Sequence, residues 1–406
     1  MRNIGFNYLF YTLFFIGFCL PTNSNFYIPL PGVLLKFNEL ALVLLPIVNE
    51  FCTSKYSFKI RNKNLRLKCI LLIITIFISE LIFKKIVFNQ NIGDSIKSIR
   101  LGLSMITTIY FIFRGINVDV KKLFNVFIWT MLTSYFLTFI SMFVSLPIYY
   151  NLDSTEDSIS GFGGRIINSN FTFGLIGLYL IFNKKGSWFN SSKIHRITYI
   201  LSVLIMILSF NRTLLAASSL MLLIILYKQF NIKSILTILF CVISLISVIS
   251  YLYNSNDSIK RQLDKRIINV VFENKSLSEE VIENNRDQIY EGIILKITEG
   301  NWMIGMDFKD SIFSIYNNNN LLYLAKKTDI SFINVLLRYG FVPLLLYGSI
   351  IITIFKKNYF YRLVLIFYII CSLNIDLLMN QNSIFFIGLF IAFENLEKVF
   401  NMKYTK

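Results

Sequence analysis

About twelve runs of predominantly apolar residues, each near the length of a bilayer-crossing helix, leave this chain of 406 residues few folds to choose from. A helix crossing the hydrocarbon of a membrane needs about 20 such residues, because every backbone polar group must be satisfied within the segment. The runs centre on 6–21, 31–48, 69–83, 98–113, 125–147, 168–182, 197–210, 213–227, 234–252, 331–355, 363–379 and 383–395. The seventh and eighth read either as two spans or as one long one, and an odd total would invert the sidedness of everything downstream. A hydrophobic content of 55%, with 40 Phe against a single His, excludes a soluble globular enzyme. The expected fold is therefore all-α: a polytopic integral membrane protein.

The cations orient it. Lys55, Lys59, Arg61, Lys63, Arg66 and Lys68 fall in one connection, Arg114, Lys121 and Lys122 in another, and Lys184, Lys185, Lys193 and Arg196 in a third. Lys228 and Lys233, then Lys356, Lys357 and Arg362, follow in register. An excess of Lys and Arg marks cytoplasmic loops, which puts both termini inside and explains most of the net charge of +17. No interleaved basic and aromatic groove suggests nucleic acid. Residues 1–25 have the length of a signal peptide, but the spans that follow make the first run an uncleaved one.

One segment departs from this grease. Residues 254–330 hold ten of the 40 Lys and Arg but twelve of the 23 Asp and Glu, between the ninth and tenth runs. The chain thus divides into spans one to nine (1–253), a large outer, periplasmic loop that is partly helical (254–330), and spans ten to twelve with a cytoplasmic tail (331–406). Within the loop, Ile289, Ile293 and Ile297 recur at helical spacing before Gly300, and the four asparagines at 317–320 read as flexible. The cysteines Cys19, Cys52, Cys69, Cys241 and Cys371 lie in or beside spans without a CxxC, so neither a disulfide framework nor a zinc site is indicated.

Four arginines stand on the outer side, against the inside bias: Arg100, Arg165, Arg212 and Arg286. Such an arginine ordinarily snorkels to lipid phosphate. Several of them beside Gly and Asn turns also make a site for a di-anion at membrane depth, since guanidinium binds phosphate bidentately and keeps its charge. Arg165 sits in SGFGGRIINSNFTFG with Asn168 and Asn170 as amide donors; Arg212 follows Asn211 in the short break SFNRTLLAAS; Arg286 opens the amphipathic stretch of the outer loop. Glu39 and Glu80 lie within or near spans, where an ionisable group is a candidate proton or ion relay unless paired, here with Lys36 or Lys84.

In this order GGRIINSN, SFNRTLLAAS, NNRDQIYEGIILKITEGNWMIGM and TDISFINVLLRYGFVPLLLY resemble the O-antigen polymerase and ligase superfamily over roughly residues 98–355. The resemblance implies an all-helical, metal-independent glycosyltransferase of the bacterial inner membrane, without cofactor. Its substrate would be an oligosaccharide on undecaprenyl pyrophosphate, and its expected partners are a chain-length regulator, a flippase and the surrounding membrane lipids. Arg212 and Arg286 would take the donor pyrophosphate as catalytic groups, with Arg165, Arg100, Asn168, Asn170 and Asn211 helping to bind substrate. Asp329 falls where ligases of the superfamily present a histidine, and would activate the acceptor; ThrAsp before an apolar run is equally a helix N-cap, and the two roles are compatible. Gly340 matches the family's glycine at the end of that stretch.

The sole histidine, His195, is placed in a cytoplasmic connection, which disfavours a ligase and favours a polymerase. A lipid-linked oligosaccharide flippase is the alternative from a different class. Transporters usually show repeated halves and midplane charges, and neither is visible in this sequence.

Overall fold

The computed structural model describes residues 2–20, 27–30, 33–59, 62–141, 170, 172–183, 189, 191–209, 211–228, 286–300, 302–310, 313–317, 320–325, 330–357, 359–372 and 385–393, with isolated positions between 243 and 264. The run expected at 234–252 and most of the loop before Arg286 lie outside the described residues.

Helices dominate, as expected for an apolar chain. They are α1 (Arg2–Cys19), α2 (Phe37–Phe51), α3 (Lys63–Ile78), α4 (Lys84–Phe88), α5 (Ile92–Leu101), α6 (Leu103–Arg114) and α7 (Val120–Ser141) in the first part of the chain. These are followed by α8 (Phe173–Asn183), α9 (Lys193–Leu208), α10 (Arg212–Lys228), α11 (Arg286–Thr298), α12 (Ser331–Tyr339), α13 (Phe341–Lys357) and α14 (Tyr359–Ser372). Among the described residues one helix, over Val120–Ile140, is long and apolar enough to cross a bilayer unbroken; the others are shorter or interrupted.

Two antiparallel hairpins were not expected. β1 (Tyr27–Leu30) pairs with β2 (Val33–Lys36), so the run expected as a helix from 31 begins as a strand and turns helical only at Phe37. Glu39 accepts from the Lys36 backbone N–H at 2.9 Å and so caps the start of α2, a structural use of that carboxylate. β3 (Phe313–Asn317) pairs with β4 (Asn320–Ala325), with Asn317 opposite Asn320, so the first and last asparagines of the run read as flexible belong to paired strands; Asn318 and Asn319 lie outside the described residues.

The runs at 98–113 and 331–355 are each broken at a glycine. α5 and α6 meet at Gly102 with a bend of 70°. A Cβ there would collide with the Tyr339 hydroxyl, which donates to the Ser98 carbonyl at 3.3 Å. α12 stops at Gly340, whose φ of 91° is a left-handed conformation that only glycine adopts without strain.

The described chain forms two compact units. The first takes residues 1–10, 42–121 and 276–406. In it α3 packs on α6 and α13, and the segment 79–83 on α5. Its aromatic core includes Phe10 edge-on to Phe111 and Phe111 against Phe385. The second takes residues 11–41 and 122–275, with α8 and α9 as a close pair and α10 against both. Phe127, Phe173 and Tyr199 stack edge to face at its centre. Seventh and eighth runs are separate helices here, divided at residues 209–211, where Asn211 Oδ1 accepts from the Leu214 N–H.

Candidate functional site

The densest polar cluster of the first unit lies where α3 loses its α-helical winding. From Lys63 the helix buries Leu65, Cys69, Leu72 and Ile76, a stripe at 3.6-residue spacing, after Asn62 caps its first turn. Continued at that pitch, the stripe would next take up Ser79, which is buried, and then Phe83. Instead residues Ser79–Phe83 wind as a π-turn, which widens the helix by one residue. Phe83 is left 49% exposed and Lys84 is fully buried in its place. α4 then ends at Asn89 in the left-handed conformation, with φ 52°.

The turn places Lys84 four residues after Glu80, and both side chains are completely buried. Lys84 Nζ donates to Glu80 Oε1 at 2.5 Å and to the Arg338 carbonyl at 2.6 Å. The other carboxylate oxygen accepts from Gln90 Nε2 at 3.2 Å, and Gln90 donates also to Ser95 Oγ at 2.9 Å. Ser95 in turn donates to the Glu80 carbonyl. Charges so deeply buried persist only when paired and hydrogen-bonded, and here the glutamate, the lysine and the amide complete one another.

This network holds the chain at residues 303–308, ahead of α12. Gln90 Oε1 accepts from the Phe308 N–H at 2.9 Å, and Ser79 Oγ donates to the Ile304 carbonyl at 2.8 Å. Between those points the Met306 N–H donates to the Leu337 carbonyl at 2.7 Å and the Phe341 N–H to the Met303 carbonyl at 3.3 Å. Gly305 and Gly340, with φ of 94° and 91°, make the approach: a Cβ on either would run into the opposite backbone. Buried Arg338 lies with its guanidinium 5.6 Å from the Phe308 ring centre, a cation–π distance. α11 joins through Ile293, buried against Met306 and Leu337, with Ile297 and Ile333 beside them. The helix expected from Ile289, Ile293 and Ile297 therefore forms, and Gly300 follows it with φ 82°.

The candidate residues distribute as follows. Arg100 stands half-buried in the last turn of α5, where a cation complements the helix dipole. Arg286 lies on α11 in the first unit and Arg212 opens α10 in the second. Arg165, Asn168 and Asp329 lie outside the described residues. Asn170 is fully buried, donating to the Phe18 carbonyl at 3.1 Å and to Ser134 Oγ at 3.0 Å, with its own carbonyl accepting from Tyr135. Its carboxamide nitrogen thus serves the packing of the second unit, as the Asn211 oxygen serves the start of α10.

His195 is buried in the first turn of α9, its Nδ1 3.1 Å from the Phe189 carbonyl and its ring edge-on to Phe124. Expected in a connection between spans, it instead belongs to a helix and is buried by aromatic packing. Among the described residues no three His, Cys, Asp or Glu side chains converge as metal ligands, and Cys19, Cys52, Cys69 and Cys371 are buried free thiols.

Sequence reasoning paired Glu80 with Lys84 but missed Gln90 and Arg338. The available signal for Arg338 was a cation inside the apolar run at 331–355, two residues before a glycine. No protein-family model, curated protein or solved structure matches this chain.

Proposed function

We propose that this protein is a polytopic membrane glycosyltransferase of the bacterial inner membrane, a polymerase of surface-polysaccharide repeat units. It moves a growing glycan from undecaprenyl pyrophosphate to the next lipid-linked unit on the outer face. The observation that carries this reading is that Arg212 is the first residue of α10, directly after the capping Asn211; Arg286, the other donor-site candidate, lies on α11. A helix start offers unfilled backbone N–H groups and the positive end of the dipole, and an arginine there adds a permanent cation. That combination suits a leaving pyrophosphate, whose charge grows as the glycosyl bond breaks. Asp329 in this reading takes the proton of the acceptor hydroxyl, Arg165 with Arg100 and Asn168 supports the second lipid-linked substrate, and no metal or cofactor is used.

Burial of the sole histidine against Phe124 and Phe189 favours polymerase over ligase, because a ligase of the resembled type presents a histidine at its acceptor site. The family's chain-length regulator and flippase are the proposed partners.

The test is the banding of surface polysaccharide from a deletion strain complemented with wild type, Arg212→Ala or Arg286→Ala. Single repeat units on an otherwise normal lipid core in the deletion, restored to ladders by wild type and by neither variant, are expected; Lys at either position should rescue poorly. Bare core with long polymer left on the carrier lipid would make the protein a ligase. Bare core with single units held in the cytoplasmic leaflet would make it a flippase and remove the arginine assignment.

A further inference from the structure

The first unit carries a cavity of about 610 Å³ that neither the buried network nor the arginines use. Lys68 of α3 lies at one end, and the rest is formed largely by two neighbouring rows of α13: Leu344, Gly348 and Ile352, then Leu345, Ser349 and Thr353. Residues four apart stack on one helix face, so each row is a continuous edge. Its middle is hollow at Gly348, where an added Cβ would meet nothing within 4 Å. Leu345 and Ile352 remain 55% and 56% exposed, so the groove opens outward along its length.

Charge is confined to one end. Lys68 Nζ donates to Thr353 Oγ1 at 3.3 Å, and Thr353 donates to the Ser349 carbonyl, leaving the ammonium two further protons. Lys68 lies near the basic start of α3 at Lys63, and α13 closes on Lys356 and Lys357 within about one turn of Thr353; Arg66 turns the other way, its guanidinium 5.5 Å from the Phe113 ring centre. From Leu344 to Thr353 the helix rises about 14 Å, close to the roughly 15 Å depth of one leaflet's hydrocarbon.

We propose that this groove is a binding site for an anionic phospholipid of the cytoplasmic leaflet, its phosphate on Lys68 and one acyl chain lying along α13 over Gly348. The inference rests on the membrane reading above but not on the transferase chemistry. Lys68 at the groove's charged end belongs to a connection that the charge bias puts inside, which separates this lipid from a donor held at the outer arginines.

The test uses the full-length protein in nanodiscs of equal parts phosphatidylglycerol and phosphatidylcholine, with retained lipids identified by native mass spectrometry. Wild type should retain phosphatidylglycerol in preference to phosphatidylcholine. Lys68→Gln, a half-exposed change that leaves the packing intact, should reduce that preference about fivefold. Gly348→Phe, whose Cβ enters open space and whose ring occupies the hollow, should abolish it. Equal retention of both lipids by wild type, an unchanged preference in Lys68→Gln, or a polyprenyl phosphate as the lipid displaced by Gly348→Phe would each overturn the proposal. Failure of the protein to enter nanodiscs at all would overturn the membrane reading and this inference with it.

Discussion

Lys84→Met removes an ammonium from the most deeply buried charged contact described in the first unit while keeping the length of the side chain. Two bonds go at once, to Glu80 Oε1 at 2.5 Å and to the Arg338 carbonyl at 2.6 Å. The stranded carboxylate keeps the Gln90 amide at 3.2 Å as its side-chain donor. Removing one partner of a buried pair costs about 3–5 kcal/mol, because the remaining charge stays out of water. The Glu50–Arg114 pair is a built-in control: it is 2.7 Å long, but its side chains are 36% and 50% exposed. Glu50→Gln should therefore cost about 1 kcal/mol or less. The gap of about 3 kcal/mol is roughly a hundredfold in the folding equilibrium. It is measurable by titrating a denaturing detergent into the purified protein in mixed micelles. Glu80→Gln with Lys84→Met leaves no buried charge of the pair and should be more stable than the sum of the two single changes implies. Because the network holds residues 303–308, Lys84→Met should also advance proteolytic cutting of that segment. The reasoning fails if Lys84→Met unfolds at the Glu50→Gln midpoint, or if the double variant is simply additive.

Asn170→Ala should cost about 2–4 kcal/mol through the loss of two fully buried hydrogen bonds, lowering the yield of folded protein; wild-type thermal stability in this variant would refute its packing role. Hydrogen bonding from Arg114 holds the Glu50 carboxyl below its ordinary value of 4.5, with Tyr110 also donating to it. A depressed folded value means that the pair's contribution is complete above about pH 4.5 and is lost as pH falls through the lower folded value. The loss should be small, because both side chains are partly exposed, and Glu50→Gln should flatten that part of an acid unfolding curve; an unchanged curve would refute it.

Much of the helical framework was legible because apolar runs and their basic flanks state it directly. α7 falls on the run at 125–147, and α11 follows the isoleucine spacing before Gly300. The breaks were less legible. Nothing in the run at 98–113 reveals that Tyr339, more than two hundred residues later, takes the space beside Gly102. Short strands at 27–36 are masked in the sequence by the apolar run that continues into α2. At the buried cluster, the Glu80 to Lys84 spacing was visible, yet a regular helix would bury Phe83 and turn Lys84 away. Only the wound backbone reverses that order. Gln90 reads in sequence as an ordinary polar residue at a helix end; its importance comes from Phe308, which the chain brings back from far downstream.

That wide turn also alters how this stretch is to be aligned with related sequences. A gain or loss of one residue inside an ordinary helix rotates everything beyond it by about 100°. Here the surplus residue is absorbed between Ile78 and Lys84, and the two ends keep their partners. A relative one residue shorter in that interval can therefore carry the same buried lysine on an unbroken helix. An alignment that forbids gaps within helices would set Lys84 against that relative's next residue and hide the equivalence, so the gap belongs inside residues 79–83.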